Sequence, residues 1–209
     1  MKKLALILAA VLLLLPTLAS CGGGEAVTAE EILPIARTLI ERSVTVNRIM
    51  IGDGVPTGTE AFGEYLYADR TFEDTHSIHS VEDILSMTAS VYTSTIYNVL
   101  YEATIVKDGV EPPDYQNRAV TDTNPSGGVL VHRDREGWYK DTTHEYLYDT
   151  MTLTAASAGA ATVTLTVRVQ PSGYAPQERE ISVNLLLTED GWRCDKLTYV
   201  AYDYTLVNQ

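Results

Sequence analysis

The sequence predicts an α+β fold in which two N-terminal helices pack on a curved antiparallel sheet. Apolar residues recur at helical spacing in the first half of the chain, and from about residue 117 they alternate with polar residues. Helices that come first and strands that follow as short-turn hairpins indicate α+β architecture, since a parallel sheet requires helices and strands to alternate along the chain. The sheet should therefore be antiparallel, with one face against the helices.

A capping motif marks the start of each predicted helix. Residues 28–31 (Thr-Ala-Glu-Glu) form a capping box, in which threonine and glutamate satisfy each other's backbone N–H groups, and they predict a helix over residues 29–48. Pro34 lies past the first turn, so the helix either kinks there or begins a turn later. Ser80 caps the second helix, and the β-branched residues between positions 88 and 95 argue against one unbroken helix.

The strands are predicted from alternating apolar residues and from the turn residues between them. A short strand is expected at residues 63–69, where Tyr65 and Tyr67 alternate with other residues. Three hairpins follow, with strands at residues 129–132 and 138–140, 146–155 and 161–169, and 179–187 and 192–203. The residues expected to face the core are Val163, Leu165, Val167, Val169, Val183, Leu185 and Leu187.

The first 20 residues have the pattern of a secretory signal peptide. Lys2 and Lys3 precede an apolar run over residues 4–15, which is shorter than the roughly 20 residues that cross a bilayer but fits the apolar part of a signal peptide. Residues 18–21 (Leu-Ala-Ser-Cys) then resemble the bacterial lipobox. We therefore expect cleavage before Cys21 and acylation of that cysteine, which would anchor the protein to the extracytoplasmic face of a membrane.

Three segments follow from this interpretation: the signal peptide at residues 1–20, the lipidated cysteine with a Gly-rich tether at residues 21–27, and one α+β domain at residues 28–209. The three glycines after Cys21 have no side chains to pack, so they indicate a flexible tether. A phosphate-binding loop would need a strand before these glycines and a Gly-Lys-Ser/Thr sequence after them, and the chain has neither.

The charge of the chain limits its expected partners. The formal net charge is −13, and removal of the signal peptide, with its two lysines, makes it −15. This charge argues against nucleic acid and anionic lipid surfaces as ligands, because both select for Lys and Arg. It favours a basic partner, although acidity for solubility alone accounts for the same composition.

With Cys21 acylated, Cys194 has no partner for an intramolecular disulfide, and it is expected to be a small buried residue.

No set of residues predicts catalysis, a metal or a cofactor. His76 and His79 are spaced as a metal-binding pair, but Ser80 looks like a helix cap, which places both histidines in the preceding loop without a third ligand. His132 and His144 are isolated and should be solvated or satisfied by a neighbour. Sequence motifs for hydrolases, redox sites and nucleotide binding are absent from the chain. We expect that the protein is not an enzyme.

The order of elements carries a family resemblance. It rests on Tyr65-Leu66-Tyr67, on residues 78–84 (Ile-His-Ser-Val-Glu-Asp-Ile), on Tyr97-Asn98-Val99-Leu100 and on Glu189-Asp190-Gly191-Trp192. This order resembles the IseA-type DL-endopeptidase inhibitors of Gram-positive bacteria, and the last hairpin resembles the wider α+β group of cystatin-like and nuclear-transport-factor-like proteins. The resemblance implies a non-catalytic protein that binds and restrains NlpC-like cell-wall hydrolases, and no functional residue is carried over from it.

Two functions remain open on this basis. In the first, the acidic domain inhibits a basic NlpC-like hydrolase, and Asp134, Glu136 and Asp141 are rim charges of the interface. In the second, a conical pocket between sheet and helices binds a small ligand or supports a general-base reaction, which a buried Asp, His and Tyr converging there would indicate. An accessory role in an envelope complex cannot be separated from the first by sequence.

Overall fold

The computed structural model of the chain describes residues 25–63, 65–106, 120–121, 129–132 and 142–206. Within these residues the helices are α1 (Ala29–Met50), α2 (Arg70–His76), α3 (Val81–Val91) and α4 (Ser94–Thr104). The strands are β1 (Thr57–Phe62), β2 (Tyr65–Ala68), β3 (Ile105–Val106), β4 (Val120–Thr121), β5 (Leu130–His132), β6 (Thr142–Ala156), β7 (Ala160–Pro171), β8 (Gln177–Thr188) and β9 (Gly191–Cys194). The predicted α+β class is confirmed. None of the described helices is long and apolar enough to cross a membrane.

Helix α1 begins at the predicted residue and ends two residues later than expected, at Met50. The Glu31 carboxylate accepts a hydrogen bond from the Thr28 N–H at 2.8 Å, and the Thr28 hydroxyl accepts one from the Glu31 N–H at 3.4 Å. This capping box satisfies backbone donors that the first turn leaves open. Pro34 lies within the helix, which neither starts later nor stops there.

The second predicted helix is divided into α3 and α4. Tyr92 has extended backbone angles (φ −109°, ψ 152°), and it forms an isolated bridge with Cys194 of β9. The Thr93 N–H then donates to the Cys194 carbonyl at 3.0 Å. Pairing with the edge of a sheet therefore interrupts the helix within the β-branched segment, whose residues tolerate extended backbone well. The short helix α2, which Asp69 caps, was not predicted.

A first sheet of five strands has the order β1-β2-β5-β4-β3 among the described residues. Its strand pairs are antiparallel except β3 and β4, which are parallel. The prediction that residues 129–132 form a hairpin in the later meander was wrong in part. These residues form β5, which pairs with β2 through Tyr67 and Leu130, and the expected partner strand at residues 138–140 lies outside the described part of the chain.

The second sheet is the predicted antiparallel meander, with the order β6-β7-β8-β9. Helix α1 packs across β6, β7 and β9, and α3 packs beside it on β9. The core positions confirmed as buried are Val163, Leu165, Val167, Val169, Val183 and Leu185. Leu187 was expected to join them but is 51% exposed; it lies one residue before the end of β8 and pairs with Trp192 of the short edge strand β9. The predicted strand at residues 192–203 ends at Cys194.

Strand β6 bends where its pairing with β7 shifts register. The shifts lie between Leu147 and Thr152 and again between Leu153 and Ala155. The Thr150 hydroxyl donates to the Leu147 carbonyl at 2.7 Å and accepts from the Thr166 N–H at 2.9 Å, so its side chain replaces part of the interrupted ladder. Bulges of this kind bend a strand and increase its twist, which gives the sheet the curvature in which α1 lies.

Candidate ligand-binding cleft

A cleft of about 320 Å³ opens between the C-terminal half of α1 and the beginning of β6, beside the segment that follows β9. Its volume is near the lower end of the range of small-molecule sites. Helix α1 and the residues just after it supply Val44, Asn47, Arg48, Gly52 and Asp53, and the rest of the lining is Thr142, Thr143, His144, Tyr146 and Tyr199. Three elements far apart in sequence therefore meet at this cleft.

The inner wall of the cleft continues into a buried polar network centred on Thr198. The Thr198 hydroxyl lies 2.6 Å from the Ser43 hydroxyl, 2.8 Å from the Asn47 side-chain amide that donates to it, and 3.1 Å from the Tyr92 hydroxyl. Tyr92 donates to the Asn47 side-chain carbonyl at 2.6 Å, and Tyr146 donates to the Thr198 backbone carbonyl at 3.1 Å. These contacts hold α1, α3 and the segment after β9 in one arrangement, because breaking any of them would leave a buried polar group unsatisfied.

The two phenols of this network are neutral hydrogen-bond donors. Burial is the main cause that raises the pKa of Tyr146 to about 12, and burial likewise raises the pKa of Tyr92 well above its ordinary value. Desolvation disfavours the charged phenolate, so both hydroxyls keep their protons at physiological pH. They can therefore orient the network but do not act as bases.

His144 is the histidine that lines the cleft. Its Nε2 lies 2.8 Å from the Val200 carbonyl, and its ring centroid lies 4.4 Å from that of Tyr199. Partial burial lowers the pKa of His144, while hydrogen bonds to the Val200 and Thr142 backbones oppose this shift. The imidazole is thus neutral near pH 7, and its Nε2 proton goes to a carbonyl that can only accept. The prediction that a neighbour satisfies His144 is confirmed.

The mouth of the cleft carries charge. Arg48 is exposed in the last turn of α1, and its guanidinium carbon lies 5.7 Å from the centre of the Phe72 ring. A cation over an aromatic face gains a modest attraction that restricts its orientation. Asp53 lines the same mouth and is partly exposed. The lining of the cleft therefore combines a basic and an acidic side chain with aromatic and hydroxyl groups.

Several residues singled out by sequence cannot be compared with the cleft. Cys21 and the acidic residues Asp134, Glu136 and Asp141 fall outside the described part of the chain, as does the side chain of His132. The described residues contain no group of three His, Cys, Asp or Glu side chains placed to hold a metal ion.

The two histidines of the spaced pair are in different local structures. His76 was expected in a loop but is the last residue of α2, where its ring contacts Phe72 at 4.5 Å between centroids. This helix was missed because it is only seven residues long and lacks a clear apolar stripe. His79 does lie in the loop before α3, as predicted, and its backbone N–H donates to the Asp83 carboxylate at 2.9 Å.

Cys194 is a packing residue, as its place in the sequence predicted. It is fully buried at the end of β9 and has a free thiol. Burial raises the pKa of this thiol to about 12, so it is protonated at physiological pH, whereas a nucleophilic cysteine needs a lowered pKa. Its backbone pairing with Tyr92 places β9 against the break between α3 and α4.

The polar network was not predicted from the sequence, although two polar residues on the buried face of α1 indicate it. Ser43 and Asn47 are four residues apart and lie on the stripe of α1 that also contains Ile40 and Met50. Two polar residues at consecutive positions of a buried helical face require partners inside the fold. Their partner, Thr198, has no comparable signal, because it lies in a segment that was predicted as a continuous strand.

Comparisons of this chain with models of known families and with curated proteins find no match. The class of protein is therefore defined by the structure alone: an α+β domain in which one long helix lies across a curved antiparallel sheet and leaves a polar, aromatic cleft at one end. The resemblance to IseA-type inhibitors stays a prediction.

Proposed function

We propose that this chain is a lipid-anchored binding protein on the extracytoplasmic face of a membrane, and that the cleft between α1 and β6 binds a small anionic ligand without chemical change. The observation that carries this proposal is the cleft itself. Its inner wall is held in place by the Thr198 network, and its mouth carries the exposed Arg48. Preorganised walls lower the cost of ordering a site when a ligand binds.

The chemistry of the walls supports an anionic ligand with a planar or apolar part. A guanidinium forms paired hydrogen bonds with carboxylate or phosphate oxygens, and Arg48 is exposed at the mouth. The His144 and Tyr199 rings offer an aromatic surface further in, and aromatic rings favour flat or apolar groups. Thr142 and Thr143 add hydroxyl groups at the rim.

Binding without chemical change of the ligand is supported by the protonation states of the side chains in and near the cleft. A general base must be within reach of a substrate proton with a free lone pair. The His144 ring is hydrogen-bonded to the backbone of both Val200 and Thr142, and the Tyr146 phenol keeps its proton. The Cys194 thiol is protonated and fully buried. These groups suit binding better than proton transfer or nucleophilic attack.

Ligand binding is tested by screening small carboxylates and phosphates for an increase in melting temperature, followed by calorimetric titration of those that stabilise the protein. For such a ligand, Arg48→Ala should weaken binding about tenfold or more, because a hydrogen bond to a charged group contributes about 1.5–3 kcal/mol. Arg37→Ala is the matched control, since Arg37 lies on the same helix but pairs with Glu41 outside the cleft. Equal affinity of the Arg48 variant and the wild type would refute the assignment of the site.

A second function is favoured by the net charge of −13. We propose as the alternative that the acidic domain binds and inhibits a basic NlpC-like DL-endopeptidase, with Asp134, Glu136 and Asp141 at the interface. The assay is peptide release from purified peptidoglycan with and without excess domain. Inhibition should weaken as salt rises, since the screening length shortens to about 3 Å at 1 M, and the triple Asn/Gln variant should bind more slowly. Undiminished cleavage across a panel of such enzymes would exclude this alternative.

A further inference from the structure

The start of the described chain is attached to one end of the second sheet. The Val27 N–H donates to the carbonyl of Ser157 at 3.3 Å, in the turn between β6 and β7. The Leu187 N–H donates to the Gly159 carbonyl at 2.9 Å, which brings the turn between β8 and β9 to the same end. We call this part of the molecule, residues 157–159 and 187–192, the hairpin end.

The cleft lies at the opposite end of the same elements. Arg48 is 19 positions beyond the first residue of α1, a distance of roughly 28 Å at 1.5 Å per residue. His144 is near the start of β6, whereas Ser157 directly follows its last residue, and a strand of this length spans roughly 40 Å. The cleft and the turn between β6 and β7 are therefore separated by about 30 Å or more.

The proposed lipid anchor is too short to bridge that separation. Val27 lies six positions after Cys21, and six residue steps span at most about 20 Å when the chain is fully extended. An acylated Cys21 at the bilayer surface would thus hold Val27, and with it the hairpin end, within about 20 Å of the lipid.

The surfaces of the domain differ in what they offer a bilayer. At the hairpin end Leu187 is 51% exposed and Trp192 is partly exposed, and the neighbouring Leu186 is 36% exposed. Tryptophan is enriched at the membrane interface, where its ring bridges apolar and polar layers. The outer face of the second sheet instead carries the exposed ion pairs of Arg168 with Glu145 and Glu178. Placing that face on lipid would remove charged groups from water at high cost.

We infer that the anchored domain stands end-on, with Leu187 and Trp192 of the hairpin end at the bilayer interface and the cleft opening away from the membrane. This inference rests on the proposed lipid anchor. The cleft would then receive ligands from the aqueous side, at a height of roughly 30 Å. Glu189 and Asp190 in the same turn favour a zwitterionic surface, because an anionic one repels carboxylates.

The orientation is tested on the processed, full-length protein in phosphatidylcholine vesicles that contain nitroxide-labelled headgroups. Thr143→Cys and Leu187→Cys are exposed positions at opposite ends, and each is labelled with a thiol-reactive fluorophore. Cys194 is fully buried and does not compete for the label. Glu189→Cys serves as a second hairpin-end position if the Leu187 variant does not fold. We expect at least threefold stronger quenching at the hairpin end than at position 143.

Vesicle flotation distinguishes a failure of the proposed anchor from a failure of the proposed orientation. If the protein floats with the vesicles and the two labels are quenched equally, or position 143 more strongly, the end-on orientation is wrong while the anchor stands. If the protein does not float with the vesicles, the proposed anchor fails and the orientation fails with it. Vesicles with added phosphatidylserine should reduce quenching at position 187, and stronger quenching there would contradict the role given to Glu189 and Asp190.

Discussion

Thr198 connects residues that the sequence keeps far apart. Its hydroxyl meets that of Ser43, 155 positions earlier, and accepts from the Asn47 side chain, 151 positions earlier. All three residues are buried. A shared hydroxyl of this kind makes the stability of the fold depend on the same atoms that shape the wall of the cleft.

Substitution of this hydroxyl should destabilise the protein. Thr198→Val keeps the shape of the side chain but leaves the Asn47 amide without its acceptor, and one buried unsatisfied group costs about 1–3 kcal/mol. The measurement is the free energy of unfolding in urea. Thr154→Val on the exposed face of β6 is the matched control, and it should change stability by less than about 0.5 kcal/mol. Equal losses in the two variants would contradict the role assigned to Thr198.

The half-buried His144 should make stability depend on pH. Burial lowers its pKa in the folded state below the unfolded value of 6.5, so the unfolded chain binds the proton more readily. The stabilising contribution is therefore present above pH 6.5 and is lost as pH falls through the lower, folded pKa. The free energy of unfolding measured from pH 7.5 to 5.5 should fall less steeply for His144→Gln than for the wild type.

The exposed His79 supplies the control for this pH experiment. His79→Gln removes a histidine of the loop before α3 and shows how much of the measured slope comes from a histidine outside the cleft. If His79→Gln flattened the slope and His144→Gln did not, the assignment to the cleft histidine would be wrong.

At the scale of elements, α1 links the membrane end of the proposed orientation with the cleft. Its first turn depends on the Thr28 and Glu31 capping box, which also positions Val27 for its bond to Ser157. The interruption between α3 and α4 has a different cause, a tertiary contact. There Tyr92 leaves the helix to pair with Cys194, so a tertiary contact overrides the helical spacing of the apolar residues.

Loss of the cap should weaken α1. Thr28→Ala removes the acceptor of the Glu31 N–H and should lower the free energy of unfolding by about 1 kcal/mol. Thr38→Ala provides the matched control, because Thr38 is exposed within the same helix, where alanine is the better helix former and a neutral or slightly stabilising effect is expected. Chemical denaturation of both variants decides the question, and a Thr28 variant as stable as the wild type would count against the cap.

At the scale of the whole molecule, the proposed localisation rests on one residue, Cys21. Cys21→Ser removes the acyl acceptor, so the variant should stay unprocessed or be released from the membrane, whereas the wild type should be processed and membrane-bound. Cell fractionation followed by mass spectrometry of the N-terminus measures both properties. Cys194→Ser, which alters the other cysteine, should leave localisation unchanged. A membrane-bound, normally processed Cys21 variant would refute the lipoprotein interpretation.

The elements of the fold followed from local sequence more reliably than their pairing did. The cap of α1, the hairpin of β6 and β7 and the buried face of β7 were predicted, because each depends on residues a few positions apart. The position of β5 beside β2 and the exposure of Leu187 were not. Both depend on where one element ends relative to another, and hydrophobic alternation within a single strand contains no such information.

The α+β class, the start of α1 and the burial of Cys194 could be predicted from the sequence, since composition, caps and periodicity act over short distances along the chain. The contacts of Ser43 and Asn47 with Thr198, the contact of His144 with Tyr199 and the cleft beside them could not be predicted, because they form only when distant segments pack together. These contacts join segments about 55 to 155 positions apart. Which polar residues become partners over such distances is settled when the helix and the curved sheet pack together and must satisfy every buried donor and acceptor.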